Sequence, residues 1–105
     1  MVRSRRQAPG KHEGRPGGTL VTSEHDVIRK WAQRRRAEPA TVPGTGHDGR
    51  PGLLRFDFPG YGGAGLTHIS WDRWFETFDE RELRFVYQER REDGGDSNFF
   101  RLDRP

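Results

Sequence analysis

The chain has 105 residues, 30% of them apolar and 33% charged, and no cysteine. That composition excludes a disulfide framework and a thiolate metal site. No apolar run approaches the roughly 20 residues of a membrane span, and the N-terminus lacks a signal-peptide core, so cytoplasmic residence is expected. The net charge of +3 is unevenly divided: eleven Arg or Lys face five acids up to position 52, and eight face eleven beyond it. Arginine supplies seventeen of the nineteen cations, as phosphate recognition or GC-rich coding would both produce.

Positions 1–19 hold Arg3, Arg5, Arg6, Lys11 and Arg15 among glycines and prolines, with almost nothing to bury. Such a segment cannot offset its ordering entropy, so a disordered basic tail is expected there and a single domain over 20–105. Folded structure is expected from about Thr22. Ser23 and Asp26 read as a capping box, and Val27, Ile28, Trp31 and Ala32 recur at helical spacing. Glu38-Pro39 is expected to end this helix, because proline restricts the residue before it. Thr41-Val42 follows as a short extended piece, and PGTGHDGRPG (43–52) as a loop.

Leu54, Phe56 and Phe58 alternate with Leu53, Arg55 and Asp57, which makes 53–58 the clearest strand. Pro59-Gly60 stops it. A second helix is predicted over 71–79, capped by Ser70, with Trp71, Trp74, Phe75 and Phe78 on its buried side. Leu83 to Gln88 alternates again, and Phe99 to Leu102 reads as its hairpin partner across Asp93-Gly94-Gly95-Asp96. Helix, strand, strand thus occurs twice. The expected class is α+β: helix-strand-strand-helix-strand-strand, with two helices on an antiparallel sheet. Nine of the twelve aromatic residues fall in 53–87, where the core should form.

Several segments are similar to those of one family. SEHDVIRKWAQ, PATVPGT, LRFDFPGYGG, ISWDRWFETFDE, FVYQE and SNFF, in that order from Ser23 to about Leu102, resemble small bacterial proteins. Members of that family often carry the label "1,4-alpha-glucan branching enzyme", which implies a carbohydrate-related role. The chain departs from the family where glycines are usual: Ala37-Glu38 follows the first helix, and Glu82 precedes the third strand. Glycine there would ease a left-handed turn. The labelled activity needs a barrel of about 250 residues with two carboxylates around a sugar. Glu76, Asp79, Glu80 and Glu82 instead read as a solvated helix face, and Trp31, Trp71 and Trp74 as core. No catalytic set is evident, and a non-enzymatic function is expected.

Other motifs carry less. Gly60 to Gly65 (GYGGAG) matches G-x-G-x-x-G, but Leu66 to Ile69 separate it from the next helix, so no cofactor is expected. Tyr61 at its tip is a candidate anchor for a partner. His12, His25, His47 and His68 show no metal-site spacing, and no metal is expected. Arg29, Lys30, Arg34, Arg35 and Arg36 form a cationic cluster on the first helix. Its charges are met either by acids of the second half (Asp79, Glu80, Glu92, Asp93) or by phosphates. The chain therefore reads as a non-catalytic binding or accessory module. A protein partner is favoured, through strand edges, the Tyr61 loop or the charged helix. Weak nucleic-acid binding through the five cations and the tail is the alternative.

Overall fold

A computed structural model describes residues 17–60 and 65–104. Tyr61 and most of the basic tail therefore lie outside the described residues. Eight elements follow in order: β1 (Thr19–Thr22), α1 (His25–Arg34), β2 (Glu38–Thr41), β3 (Leu54–Asp57), β4 (Thr67–His68), α2 (Trp71–Glu80), β5 (Arg84–Gln88) and β6 (Phe100–Asp103). The class is α+β and all pairing is antiparallel. The strands form two three-stranded sheets, β1-β5-β6 and β3-β2-β4, where a single sheet was expected.

The second sheet follows from two short strands that carry little hydrophobic signal. β1 sets Leu20 opposite Tyr87 and Thr22 opposite Phe85. β4 is two exposed residues, visible only through its pairing with Ala40 and Thr41. With them the chain becomes two β-α-β-β halves that exchange first strands. β1, from the first half, completes the sheet of β5 and β6; β4, from the second, completes that of β2 and β3. The halves match at one spacing of 46 positions: Leu54-Arg55-Phe56-Asp57 answers Phe100-Arg101-Leu102-Asp103, and Arg36 answers Glu82. Neither half owns a complete sheet.

Helix boundaries show where local reasoning needs correcting. α1 starts one residue beyond the expected box: Glu24 is its N-cap and makes no side-chain cap bond. Ser70 does cap α2, accepting from the Arg73 N–H at 3.0 Å. Pro39 does not end α1 but lies inside β2, a central strand. Its N–H-free nitrogen faces β4, where the Ile69 N–H still donates to the Pro39 carbonyl at 3.0 Å. The reciprocal bond cannot form, and β4 ends there at His68.

Both helices are ended by a left-handed residue that is not glycine: Arg36 (φ 59°) and Glu82 (φ 55°). The Ala37 N–H then reaches the Ala32 carbonyl at 2.9 Å, and the Leu83 N–H the Phe78 carbonyl at 3.1 Å, a Schellman closure in each case. Glu82 stands where a glycine was anticipated; at the first helix the left-handed position is Arg36, one before Ala37. L-residues there cost about 1–2 kcal/mol, part of which glycine returns as unfolded-state entropy. Glu82→Gly is therefore expected to stabilise the fold by about 0.5–1 kcal/mol, a rise of several degrees in Tm for so small a domain. Thermal unfolding by circular dichroism checks this, and a lower Tm would contradict the strain argument.

The core is aromatic, as the clustering in 53–87 implies. Phe56 stacks on Trp74 (4.9 Å between centroids, 11° between planes) and lies 5.1 Å from Phe100 and 6.0 Å from Trp31. Leu54 and Phe56 are buried while Leu53 and Arg55 are exposed, so the alternation in β3 is as read. Trp74, Phe75 and Phe78 of α2 and Ile28, Trp31 and Ala32 of α1 are buried on the expected stripes. Each helix also bonds to the other half through a tryptophan. Trp31 Nε1 donates to the Gln88 carbonyl at 2.7 Å, and Trp74 Nε1 to the Arg55 carbonyl at 3.1 Å.

Candidate functional site

The five cations of α1 and its exit do not form one surface. Arg29 pairs with Asp26 at 2.5 Å and lies over the Phe75 ring at 5.7 Å. Arg34 pairs with Asp96 at 3.2 Å. Arg35 turns inward: its guanidinium covers the Trp31 ring at 4.3 Å and donates to carbonyls of Trp31, Ser97, Gln88 and Glu89. Burial lowers its pKa from the ordinary arginine value, against the opposing pull of Asp96 and Glu89. Lys30 and Arg36 are exposed and make no ion pair among the described residues. The acid that meets this face is Asp96, not Asp79, Glu80, Glu92 or Asp93. Asp79 is taken by His25 at 2.9 Å, Glu80 by Arg50 at 3.8 Å and Asp93 by Arg91 at 3.2 Å.

A different group of arginines comes together. β3 and β6 are each an outer strand of their sheet, and a cleft of about 770 Å³ lies between them. Its walls include Arg55, Arg81, Arg101 and Arg104 beside Leu54 and Phe100. Leu53, half exposed, adds an apolar rim. The volume is of the size that holds a ligand or a short segment of chain.

Local structure fixes each of these cations. Arg55 and Arg101 occupy the solvent-side positions of alternating strands, at matching points in the two halves. Arg81 caps α2 and clamps the 43–52 loop, its two terminal nitrogens donating to the Pro51 and Gly52 carbonyls at 2.6 Å each. This mirrors Arg35, which caps α1 and holds the 97 carbonyl in the other half. Gly52 is the residue such a clamp needs: a Cβ there would collide with Thr45.

Charge in the cleft is poorly balanced. Among the described residues only Arg101 has a carboxylate partner, meeting Asp103 through two bonds of 2.8 and 3.0 Å. That pair raises the Arg101 pKa and, with Arg84 adding, lowers that of Asp103. Arg81 is bonded to neutral carbonyls, Arg55 donates to the Leu54 carbonyl at 3.1 Å, and Arg104 makes no ion pair among the described residues. Three full positive charges therefore share one concave surface, which is an anion-attracting arrangement.

The remaining features are placed as follows. Trp31 and Trp74 are buried, and Trp71 is half buried and stacked on Phe75. Glu76, Asp79, Glu80 and Glu82 are exposed on α2 and its exit. No group of three or more His, Asp or Glu among the described residues could hold a metal ion, and no described helix is long and apolar enough to cross a membrane. The four arginines of the cleft escaped sequence reading because each sits at an ordinary surface position. The signal that could have found two of them is the repetition of LRFD as FRLD. A scan of protein-family models, and comparisons with characterised proteins and solved structures, gave no match to this chain.

Proposed function

We propose that the chain is a non-catalytic binding module that holds another protein at the cleft between β3 and β6. The observation that carries this reading is the coincidence of two strand edges unpaired among the described residues with three arginines that have no carboxylate partner there. Open edges are templates for pairing, and proteins that leave them uncovered use or guard them. Kinship with the small bacterial proteins it resembles belongs to the same proposal, as kinship of fold and not of reaction. The nucleic-acid alternative draws on less than the five cations of α1, since Arg29, Arg34 and Arg35 are engaged internally.

Affinity capture from the native host, after nuclease treatment, tests the module. The wild-type chain and an Arg55→Glu/Arg104→Glu variant serve as paired baits. Both side chains are exposed, so the variant should fold normally. A protein retained by the first and lost by the second is the expected result. Capture that ignores the charge reversal, or that vanishes on nuclease treatment, would remove this reading.

A further inference from the structure

We infer that the cleft receives an extended acidic segment of the partner, added as a strand along the outer edge of β3. The inference rests on the binding-module reading above and names the kind of ligand that site takes. Its first support is the register of the ladder. The Val42 N–H donates to the Leu53 carbonyl at 3.0 Å, so Leu53 and, two by two, Arg55 and Asp57 turn their main-chain groups toward β2. Leu54 and Phe56 must turn theirs away, toward the cleft. The Leu54 carbonyl accepts from its neighbour Arg55, and no described strand pairs with the Leu54 and Phe56 N–H groups. β6 repeats the geometry: the Gln88 N–H donates to the Phe99 carbonyl at 3.2 Å, which turns Phe100 and Leu102 outward.

The second support is charge. An added strand sends alternate side chains to opposite faces. Carboxylates on one face would meet Arg55, Arg81 and Arg104, which have no acidic partner among the described residues. Side chains on the other face would meet Leu54, which lies on the opposite face of β3 from Arg55, and Leu102 across the cleft. Guanidinium groups take carboxylates in paired hydrogen bonds, and main-chain pairing supplies affinity that does not depend on sequence.

Other occupants fit less well. Residues 1–16 have the wrong sign, carrying Arg3, Arg5, Arg6, Lys11 and Arg15 against Glu13 alone. In a second copy the densest acidic run, Asp79 to Glu82, is helix and helix exit instead of extended chain. Single-stranded nucleic acid needs aromatic faces for its bases. The aromatic wall here is Phe100, whose ring is engaged with Phe56 at 5.1 Å and Phe85 at 5.8 Å.

The probe is a fluorescent peptide of about eight residues alternating glutamate and valine, the length of an ordinary strand. It is titrated with the full chain and followed by fluorescence anisotropy. Saturable binding at about 50 mM salt that weakens as salt rises is expected. Arg55→Gln/Arg104→Gln should weaken it about tenfold, as loss of charge-assisted contacts does. Proline in place of two alternate residues should abolish it, because the strand loses its donors. The inference is overturned if the acidic peptide does not bind, if a lysine-valine counterpart binds as tightly, or if either change leaves affinity intact. Should the peptide fail while host capture still responds to charge reversal in the cleft, strand addition falls and the binding module stands. Capture indifferent to that reversal removes the module itself.

Discussion

Arg35→Met is expected to destabilise the domain by about 3 kcal/mol, far beyond what loss of a surface cation costs. The guanidinium sits at the C-cap of α1 and donates from all three nitrogens: Nε to the Ser97 carbonyl at 2.5 Å, one terminal nitrogen to Trp31 at 2.9 Å and the other to Glu89 at 2.7 Å. Methionine keeps much of the volume over Trp31 but removes the guanidinium donors from all three carbonyls, of which that of Glu89 keeps the Ser97 N–H at 3.2 Å. Each such charge-assisted bond is worth roughly 1.5–3 kcal/mol alone, and the sum is discounted because water reaches part of the site. Arg34→Met is the control, since Arg34 lies one residue away in an exposed pair with Asp96 and should change stability by less than about 0.5 kcal/mol. Urea midpoints for the two variants decide the matter. Equal midpoints would mean that Arg35 is an ordinary surface charge. The same result bears on nucleic-acid binding: a chain neutralised at Arg34, Arg35 and Arg36 together would lose stability, so lost binding could reflect a lost fold. Lys30→Gln with Arg36→Gln, which touches only cations without ion pairs, is the cleaner test of that alternative.

Arg35 also shows where reading the sequence stops. Helical spacing sets Arg29 near Arg36 and Lys30 near Arg34, but it also sets Arg35 four residues on from Trp31, over whose ring it lies. The helix ends at Arg34 and Arg36 takes φ 59°, so the period no longer governs where the Arg36 side chain goes. Aromatic stripes were legible because burial of large side chains imposes their spacing: Trp74, Phe75 and Phe78 on α2, Leu54 and Phe56 on β3. The turn at Gly94, with φ 92°, and the cap at Ser70 were legible because their chemistry is local. β1 and β4 were not, since a four-residue and a two-residue edge strand exist only through partners far along the chain. The cleft was hidden for the same reason. It is made by two strands whose spacing in sequence says nothing of their placement across a shared groove.

The exchange of first strands explains why the two halves hold together. α1 is tied by Trp31 and Arg35 to β5 and the turn after it, and α2 by Trp74 and Arg81 to β3 and the loop before it. Each helix therefore braces the strands that belong, in sequence, to the opposite half. β3 and β6 each keep one edge that no described strand pairs with, as do β1 and the two-residue β4. A site between β3 and β6 is built largely on paired strands, next to buried Leu54 and Phe56, with the 43–52 loop adding to its wall.

Trp74→Ala should have the largest effect of any single change in this fold. Trp74 is wholly buried, stacked between Phe56 (4.9 Å) and Phe78 (5.5 Å), with Phe75 against its edge at 5.4 Å. Its Nε1–H satisfies the Arg55 carbonyl, so the side chain links α2 to the strand that forms the cleft. Truncation removes the ring from water-free contacts on both faces and leaves a cavity, at a cost of about 3–5 kcal/mol. A domain this small lies toward the low end of the usual 5–15 kcal/mol, so the variant should be largely unfolded near 37 °C. Trp74→Phe keeps the stack and loses the donor, and should cost about 1–2 kcal/mol while remaining folded. Circular dichroism melts separate the two, with Trp31 and Trp71 left as fluorescent reporters of the core. A Trp74→Ala chain that melts within a few degrees of wild type would show that the ring is not the keystone described. If Trp74→Phe instead melts as early as Trp74→Ala, the hydrogen bond to Arg55 outweighs the packing, and the support of the cleft rests on that one donor.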